Sequence, residues 1–368
     1  MSLCDSARSA CVSRTFLCSW KCHPKLTFTD ETLGLKQNAD GKSSRTEGFT
    51  WRVNNILKNH SGVGVRSLNI VIGHNEVDPC DVNSWLQKAI TPGIEDVTLL
   101  LPIGWRAEYN LPCSLLFDGR GNSIRYLCLT DCAIRPPVGF DCLRSLKELY
   151  LDGVHITGDE LEHLISRSFC LEKMELRSCI ELICLKIPLW LDRLSWLIVS
   201  SCHKLQVIEN TAPNLTTFEL FGDQVQLLLG ESSPVKNFNL AFSSELNSVS
   251  YAITKLPSVM PHLETLTIYS GSERVNTPLV TNQFLHLKYL NIELADDDDD
   301  ENVFATYDYM SLVSFLDAAP VLETFILSVD QHDMHHESVF GVASLHQRRI
   351  HEHKHDRLKK VQIECNST

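Results

Sequence analysis

The apolar residues of this chain recur in a short figure: one apolar residue, two of any kind, a second apolar residue, one of any kind, and a third. It runs as Val65, Leu68, Ile70; Ile94, Val97, Leu99; Ile124, Leu127, Leu129; Leu146, Leu149, Leu151; Leu171, Met174, Leu176; and Leu194, Leu197, Val199. It continues as Leu215, Phe218, Leu220; Val235, Phe238, Leu240; Leu263, Leu266, Ile268; Leu287, Leu290, Ile292; Leu322, Phe325, Leu327; and Leu358, Val361, Ile363. The second and third members lie two apart, so they share one face of a short strand, and the residue between them points to the other. Each copy therefore predicts a strand with a buried side and an open side.

The starting positions advance by 29, 30, 22, 25, 23, 21, 20, 28, 24, 35 and 36 residues. The middle copies keep the period of leucine-rich repeats, roughly 20 to 29 residues. One such unit buries too few aliphatic side chains to offset the entropy of ordering its backbone, so neighbouring copies must stack. The predicted fold is α/β: a leucine-rich-repeat solenoid whose strands form a parallel concave sheet, with helices or extended segments on the convex side. Three residues past the last apolar position stand Cys132, Cys179 and Cys202. In such repeats that slot holds an inward-facing Asn or Cys, so these thiols are expected to pack rather than react.

The residues around the central apolar position are the candidate partner-binding surface. They include Arg125, Tyr126, Lys147, Tyr150, Glu172, Lys173, Glu175, Trp196, Glu219, Glu264, Thr265, Lys288 and Tyr289. Tyr126, Tyr150, Trp196 and Tyr289 are of the residue types over-represented in protein-binding hot spots.

Composition narrows the function. Of 368 residues, 43% are apolar and 21% charged, and no apolar run approaches the roughly 18 residues that cross a bilayer. Asp5, Arg8 and Arg14 interrupt the first twenty residues, leaving no continuous secretory core and predicting a cytoplasmic or nuclear protein. The formal charge of −13 disfavours nucleic acid, whose phosphates need a basic face. The 14 cysteines are read as reduced thiols. Neither Cys18/Cys22 nor Cys128/Cys132 has a second pair at zinc-binding distance. No Gly-x-Ser-x-Gly or phosphate-cradling Gly-rich loop occurs, so neither catalysis nor a cofactor is predicted.

Both ends resemble a known family. Asp5, Ala7, Arg8, Ala10, Cys11, Val12, Ser13, Arg14, Phe16, Leu17 and Trp20, followed by Pro24, Leu26 and Phe28, look like the later half of a plant F-box. The family's Leu-Pro-acidic helix start would lie before Met1. His351, His353, His355, Arg357, Leu358, Lys359, Lys360, Val361 and Ile363 are similar to the start of the FBD-type ending of plant F-box repeat proteins. The resemblance implies substrate recognition for a cullin-based SCF-type ubiquitin ligase, with Ala7, Cys11, Val12, Phe16, Leu17, Trp20 and Pro24 contacting a Skp-type adaptor. The alternative is a free-standing interaction scaffold, in which the amphipathic N-terminal helix caps the first repeat.

The expected organisation is a partial F-box helix over 1–28, a linker and cap over 29–64, and the solenoid over 65–295. An acidic loop over 296–304 and divergent terminal repeats with a clipped FBD-like end over 305–368 complete it. Asp296 to Glu301 is a run of carboxylates read as a solvated loop. His332, His335, His336, His346, His351, His353 and His355 crowd the last segment without a regular ligand spacing, and no metal is assigned to them.

Overall fold

The computed structural model describes residues 12–13, 17, 20–35, 44–104, 109–116, 119–230, 234–243, 247–271, 277–278, 282–295, 309–330 and 355–366. The chain divides into two units, Met1–Leu194 with Cys202–Leu205, and Ser195–Ser201 with Gln206–Thr368.

In the first unit, β1 (Lys25–Phe28) is followed by α1 (Ser44–Asn59), β2 (Ser67–Val71), α2 (Pro79–Ala89), β3 (Asp96–Leu100) and β4 (Asn110–Leu111). Then come β5 (Tyr126–Thr130), β6 (Ala133–Ile134), β7 (Glu148–Asp152), α3 (Gly158–Ile165), β8 (Lys173–Arg177) and β9 (Cys184–Ile187). Strands β1, β2, β3, β5, β7 and β8 pair in that order, all parallel. The apolar figure sets the register, so Leu149 lies against Met174 and Leu151 against Leu176, all four buried.

The second unit contains β10 (Trp196–Ser200), β11 (Val207–Asn210), β12 (Thr217–Gly222), β13 (Gln226–Leu228), β14 (Asn237–Phe242) and α4 (Ser248–Val259). It ends with β15 (Thr265–Ser270), β16 (Tyr289–Ala295), α5 (Val313–Ala318), β17 (Thr324–Asp330) and β18 (Lys360–Asn366). Strands β10, β12, β14, β15, β16, β17 and β18 form a parallel ladder in that order. Phe218 and Phe238 are register partners, fully buried, with ring centroids 5.2 Å apart.

The shortest intervals between copies take one return path. Intervals of 20 to 23 residues hold an extended return, as in β6, β9, β11 and β13, whereas those of 25, 28 and 29 hold α3, α4 and α2. The 30-residue interval between β3 and β5 holds the short β4 followed by 3-10 turns at Cys113–Leu116 and Arg120–Ser123. A helix advances only about 1.5 Å per residue, so it takes up chain that an extended return across the same gap does not need. The helices bury one face. Trp85 of α2 is fully buried, meets the Phe49 ring of α1 at 6.1 Å and donates its indole N–H to Asn54 Oδ1 at 2.7 Å. α3 opens with a capping box, in which Thr157 Oγ1 accepts from Glu160 N–H and the Glu160 carboxylate accepts from Thr157 N–H.

Leaving five of the ladder strands, the chain turns through a left-handed residue at Asp131 (φ 49°), Gly153 (φ 61°), Ser178 (φ 49°), Ser201 (φ 53°) and Gly222 (φ 117°). At Gly153 a Cβ would meet Asp131 Oδ1 at 2.9 Å, so a larger residue there would displace the Asp131 side chain as well as adopt a conformation that glycine takes without strain. Immediately after this turn lie the three cysteines of the sequence pattern, all buried. Cys179 Sγ donates to Leu151 O (3.9 Å) and Cys202 Sγ to Leu176 O (3.8 Å). Burial, with a smaller push from Asp131, raises the Cys132 thiol to about 12. These two cysteines hydrogen-bond their sulfurs to the neighbouring copy's strand, and the Cys132 thiol stays protonated.

One strand escapes the apolar figure. Residues 25–28, read from sequence as the exit of a helical segment, form β1 and pair with β2, with Leu26 and Phe28 fully buried. His23 occupies the place of the first apolar residue. Its carbonyl accepts from His60 Nε2 at 3.0 Å, so a polar contact replaces the usual packing. The sheet therefore begins forty residues before Val65, and α1 spans Ser44–Asn59, including positions 44–47 of the expected linker.

Phe218→Ala is expected to destabilise the chain by about 3 to 5 kcal/mol, from lost burial and the cavity left behind. Trp196→Ala, on the open side, is expected to change stability by about 0.5 kcal/mol or less. Urea titration of both variants checks the contrast.

Candidate functional site

Eleven of the ladder strands are entered in the same way. The amides of two successive residues converge on one carbonyl of the preceding copy: Glu95 and Asp96 on Arg66 O, Lys147 and Glu148 on Arg125 O, Glu172 and Lys173 on Lys147 O. In the second unit, Glu264 and Thr265 meet Lys236 O, Lys288 and Tyr289 meet Glu264 O, and Glu323 and Thr324 meet Lys288 O. Residues just before the strands are thus stacked at the inter-strand spacing of about 4.8 Å. Several neighbours in this row carry opposite charges, although Arg125 and Lys147 are consecutive cations. Glu95 reaches Arg66 (3.4 Å) and Arg125 (3.7 Å), and Glu172 reaches Lys147 (2.8 Å). Glu264 reaches Lys288 (2.9 Å) and Lys236 (3.1 Å), and Glu323 reaches Lys359 (2.6 Å).

This ion-pair row changes the reading of several candidates. Arg125, Lys147, Glu172, Glu264 and Lys288 stand on the rim, where they pair with one another, rather than on the face of the sheet. Only the register of the parallel ladder brings residues 24 to 36 apart in sequence into contact, so local patterning does not show the pairs.

The face proper is made of the alternate strand positions. In the first unit, Tyr126, Glu148, Tyr150, Asp152, Lys173, Glu175 and Arg177 point outward. Most of the charge here is satisfied internally. Glu175 is 8% exposed, held by Arg177 Nε at 2.6 Å and Lys173 Nζ at 3.4 Å. Tyr150 donates to Asp152 Oδ2 at 3.2 Å, and burial followed by the Asp152 charge raises its hydroxyl to about 12. Burial, reinforced by Cys128, raises the Tyr126 hydroxyl as well.

In the second unit the outward residues of β10 to β16 include Trp196, Ile198, Thr217, Glu219, Phe221, Asn237, Asn239, Ala241, Thr265, Thr267, Tyr269, Tyr289, Asn291 and Glu293, and the register continues them on β17 and β18 as Thr324, Ile326, Ser328, Lys360, Gln362 and Glu364. Trp196 is 40% exposed and donates its indole N–H to Glu219 Oε1 at 3.0 Å. Tyr269 is 38% exposed, and the Phe221 ring lies 6.5 Å from it. Phe221, Tyr269 and Glu293 are missing from the sequence reading because they form a third outward position, one residue beyond the last pattern residue. Carrying the alternation one step further finds them. Of the partner-binding candidates, Tyr126, Tyr150, Lys173, Glu175, Trp196, Glu219, Thr265 and Tyr289 lie on outward strand positions.

Of the adaptor-contact candidates, Ala7, Cys11 and Phe16 lie outside the described residues, as do the carboxylates 296–301 and His332, His335, His336, His346, His351 and His353. Val12 is exposed, Leu17 partly so, and the Pro24 carbonyl accepts the amides of Arg66 and Ser67 as the first rung of the ladder. Among the described residues no group of three His, Cys, Asp or Glu is placed to hold a metal, and no helix is long and apolar enough to cross a membrane.

Hydrogen bonds from Lys288 and then Lys236 hold the Glu264 carboxyl below its ordinary 4.5. A carboxylate favoured in the folded state stabilises above its unfolded value and loses that contribution as pH falls through the lowered folded value. Glu264→Gln is therefore expected to lower the unfolding midpoint slightly at pH 7, with the difference from wild type vanishing as pH drops below about 4.5 and shrinking in 1 M salt. Denaturation at several pH values and salt concentrations checks this.

No curated protein matches the chain. Among protein families, the one described as At1g61320/AtMIF1, LRR domain, matches residues 56–367. That span runs from inside α1 to the end of β18 and takes in twelve of the thirteen ladder strands. With the repeated rungs, the turns and the buried cysteines accounted for by one repeat geometry, the chain belongs to the leucine-rich-repeat family At1g61320/AtMIF1.

Proposed function

We propose that this chain recognises a protein partner through the open face of its sheet, and that it does so as the substrate-recognition subunit of an SCF-type cullin ubiquitin ligase in the cytoplasm or nucleus. The observation that carries the first part is the placement of Trp196, Tyr269 and Tyr289 on outward positions of a regular ladder. Large aromatic side chains on a rigid sheet lose little entropy on binding and dominate interface energetics. The ligase assignment is supported by the resemblance of Asp5 to Phe28 to an F-box and of His351 to Ile363 to an FBD-type ending. Such a receptor contributes proximity and leaves the chemistry to its conjugating partner.

One observation favours the second reading, a free-standing scaffold: Leu26 and Phe28, part of the segment that resembles an F-box, are buried in β1 of the sheet. The two readings share the binding face and differ in the adaptor. Co-precipitation of the full chain with a purified Skp-type adaptor separates them; retention supports the receptor, and absence alongside retained partner capture supports the scaffold. For the face itself, alanine variants of Trp196, Tyr269 and Tyr289 are expected to include at least one that weakens partner binding about 30-fold, as a hot-spot residue does.

A further inference from the structure

The open face of the second unit has an uncompensated charge. Strands β10, β12, β14, β15, β16 and β17 contain no Lys, Arg or His at any position, while Glu219 and Glu293 both point outward. The last strand, β18, carries Lys360, but it lies two ladder steps and four residues from the Glu293 position, a Cα separation of about 16 Å before any sheet curvature. The rim cations Lys236, Lys288 and Lys359 are engaged by Glu264 and Glu323. The two face carboxylates accept hydrogen bonds from neutral donors. Trp196 Nε1 reaches Glu219 Oε1 at 3.0 Å, and Asn291 Nδ2 reaches Glu293 Oε1 at 2.7 Å. Neither bond neutralises charge.

Aromatic rings surround these carboxylates. Across the register Phe221, Ala241 and Tyr269 stand side by side, and Tyr269 is followed by Glu293 on the next strand. The small Ala241 leaves a shallow floor between two rings whose centroids are 6.5 Å apart. Burial first, then the charges of Glu293 and Glu219, raise the Tyr269 hydroxyl, which places both carboxylates within electrostatic reach of this ring. Aromatic faces beside carboxylates, with no local cation, attract a guanidinium or ammonium group by both charge and ring quadrupole.

Resting on the open-face reading above, we propose that the partner presents an extended basic segment, whose Arg or Lys side chains seat on Phe221 and Tyr269 between Glu219 and Glu293. The spacing of the carboxylates restricts that segment. Strands β12 and β16 are three ladder steps apart, and Glu293 is two residues beyond the register partner of Glu219. That separates the two Cα atoms by about 16 Å before any sheet curvature. Two basic residues four apart in an extended chain lie about 13 Å apart on one side, and their long flexible side chains cover the remainder. The formal charge of −13 on the whole chain adds attraction at longer range.

The test uses the full chain and a fluorescently labelled Gly/Ser nonapeptide with arginines at positions 3 and 7, read by anisotropy. The expected result is saturable binding that weakens at least tenfold in three comparisons: with glutamine in place of both arginines, with the Glu219→Gln/Glu293→Gln variant, and between 50 mM and 500 mM salt. Tyr269→Ala is expected to weaken it about threefold, while Glu264→Gln on the rim leaves it within twofold. Equal binding of the arginine and glutamine peptides, or wild-type binding by the double variant, overturns the proposal. Circular dichroism of the double variant guards against misfolding, and if its spectrum changes, the peptide substitution and the salt series decide alone. If alanine variants of the face still impair capture of the natural partner while the arginine peptide shows no preference, the basic-segment proposal fails and the open-face reading stands.

Discussion

A β-strand of four to seven residues leaves its amides and carbonyls unsatisfied unless another strand lies beside it, and in a parallel ladder that neighbour comes from a different copy of the repeat. Here eleven ladder strands meet the requirement in one manner. A carbonyl at the rim accepts two successive amides from the next copy, and the strand bonds then follow in register. The inward residues of adjoining copies, such as Leu240 and Ile268, are thereby aligned, so hydrophobic burial and backbone pairing demand the same stacking. The ion pairs on the rim and the columns of outward side chains are consequences of that shared register.

Much of this was legible in the sequence because the inward positions obey a rule that permits few residue types. The three-membered apolar figure locates β2 and every later ladder strand, and the shortest intervals between copies, 20 to 23 residues, mark extended returns. β1 was hidden because His23 breaks the figure at its first position and because α1 lengthens the interval that follows. The rim pairs were hidden for a different reason. An ion pair such as Glu264 with Lys288 depends on which strands are neighbours and in what register, and neither charge is required for folding. The outward aromatics fall between these cases: Trp196 and Tyr289 flank pattern residues, whereas Phe221 and Tyr269 follow them.

The two units use the same scaffold to make different faces. In the first, Glu175 is clasped between Lys173 and Arg177, and Tyr150 is bonded to Asp152, so opposite charges and polar groups are already matched. Opening such contacts for a ligand exchanges one set of bonds for another with little net gain. In the second, exposed rings stand beside carboxylates that have neutral partners only. A partner there gains buried aromatic area and charge pairing without first breaking an ion pair, which is why recognition is assigned to that face.

The claim that the open face of the second unit is the recognition surface is tested most directly by oxidative footprinting of the chain alone and saturated with its protein partner. The account predicts protection of Trp196 and Tyr269 on the face, with unchanged labelling of Trp51 on α1 and Trp190 on the return after β9, all of which are exposed in the free chain. Protection of Trp51 or Trp190 with Trp196 and Tyr269 still fully labelled would contradict it and move recognition off the open face of the second unit.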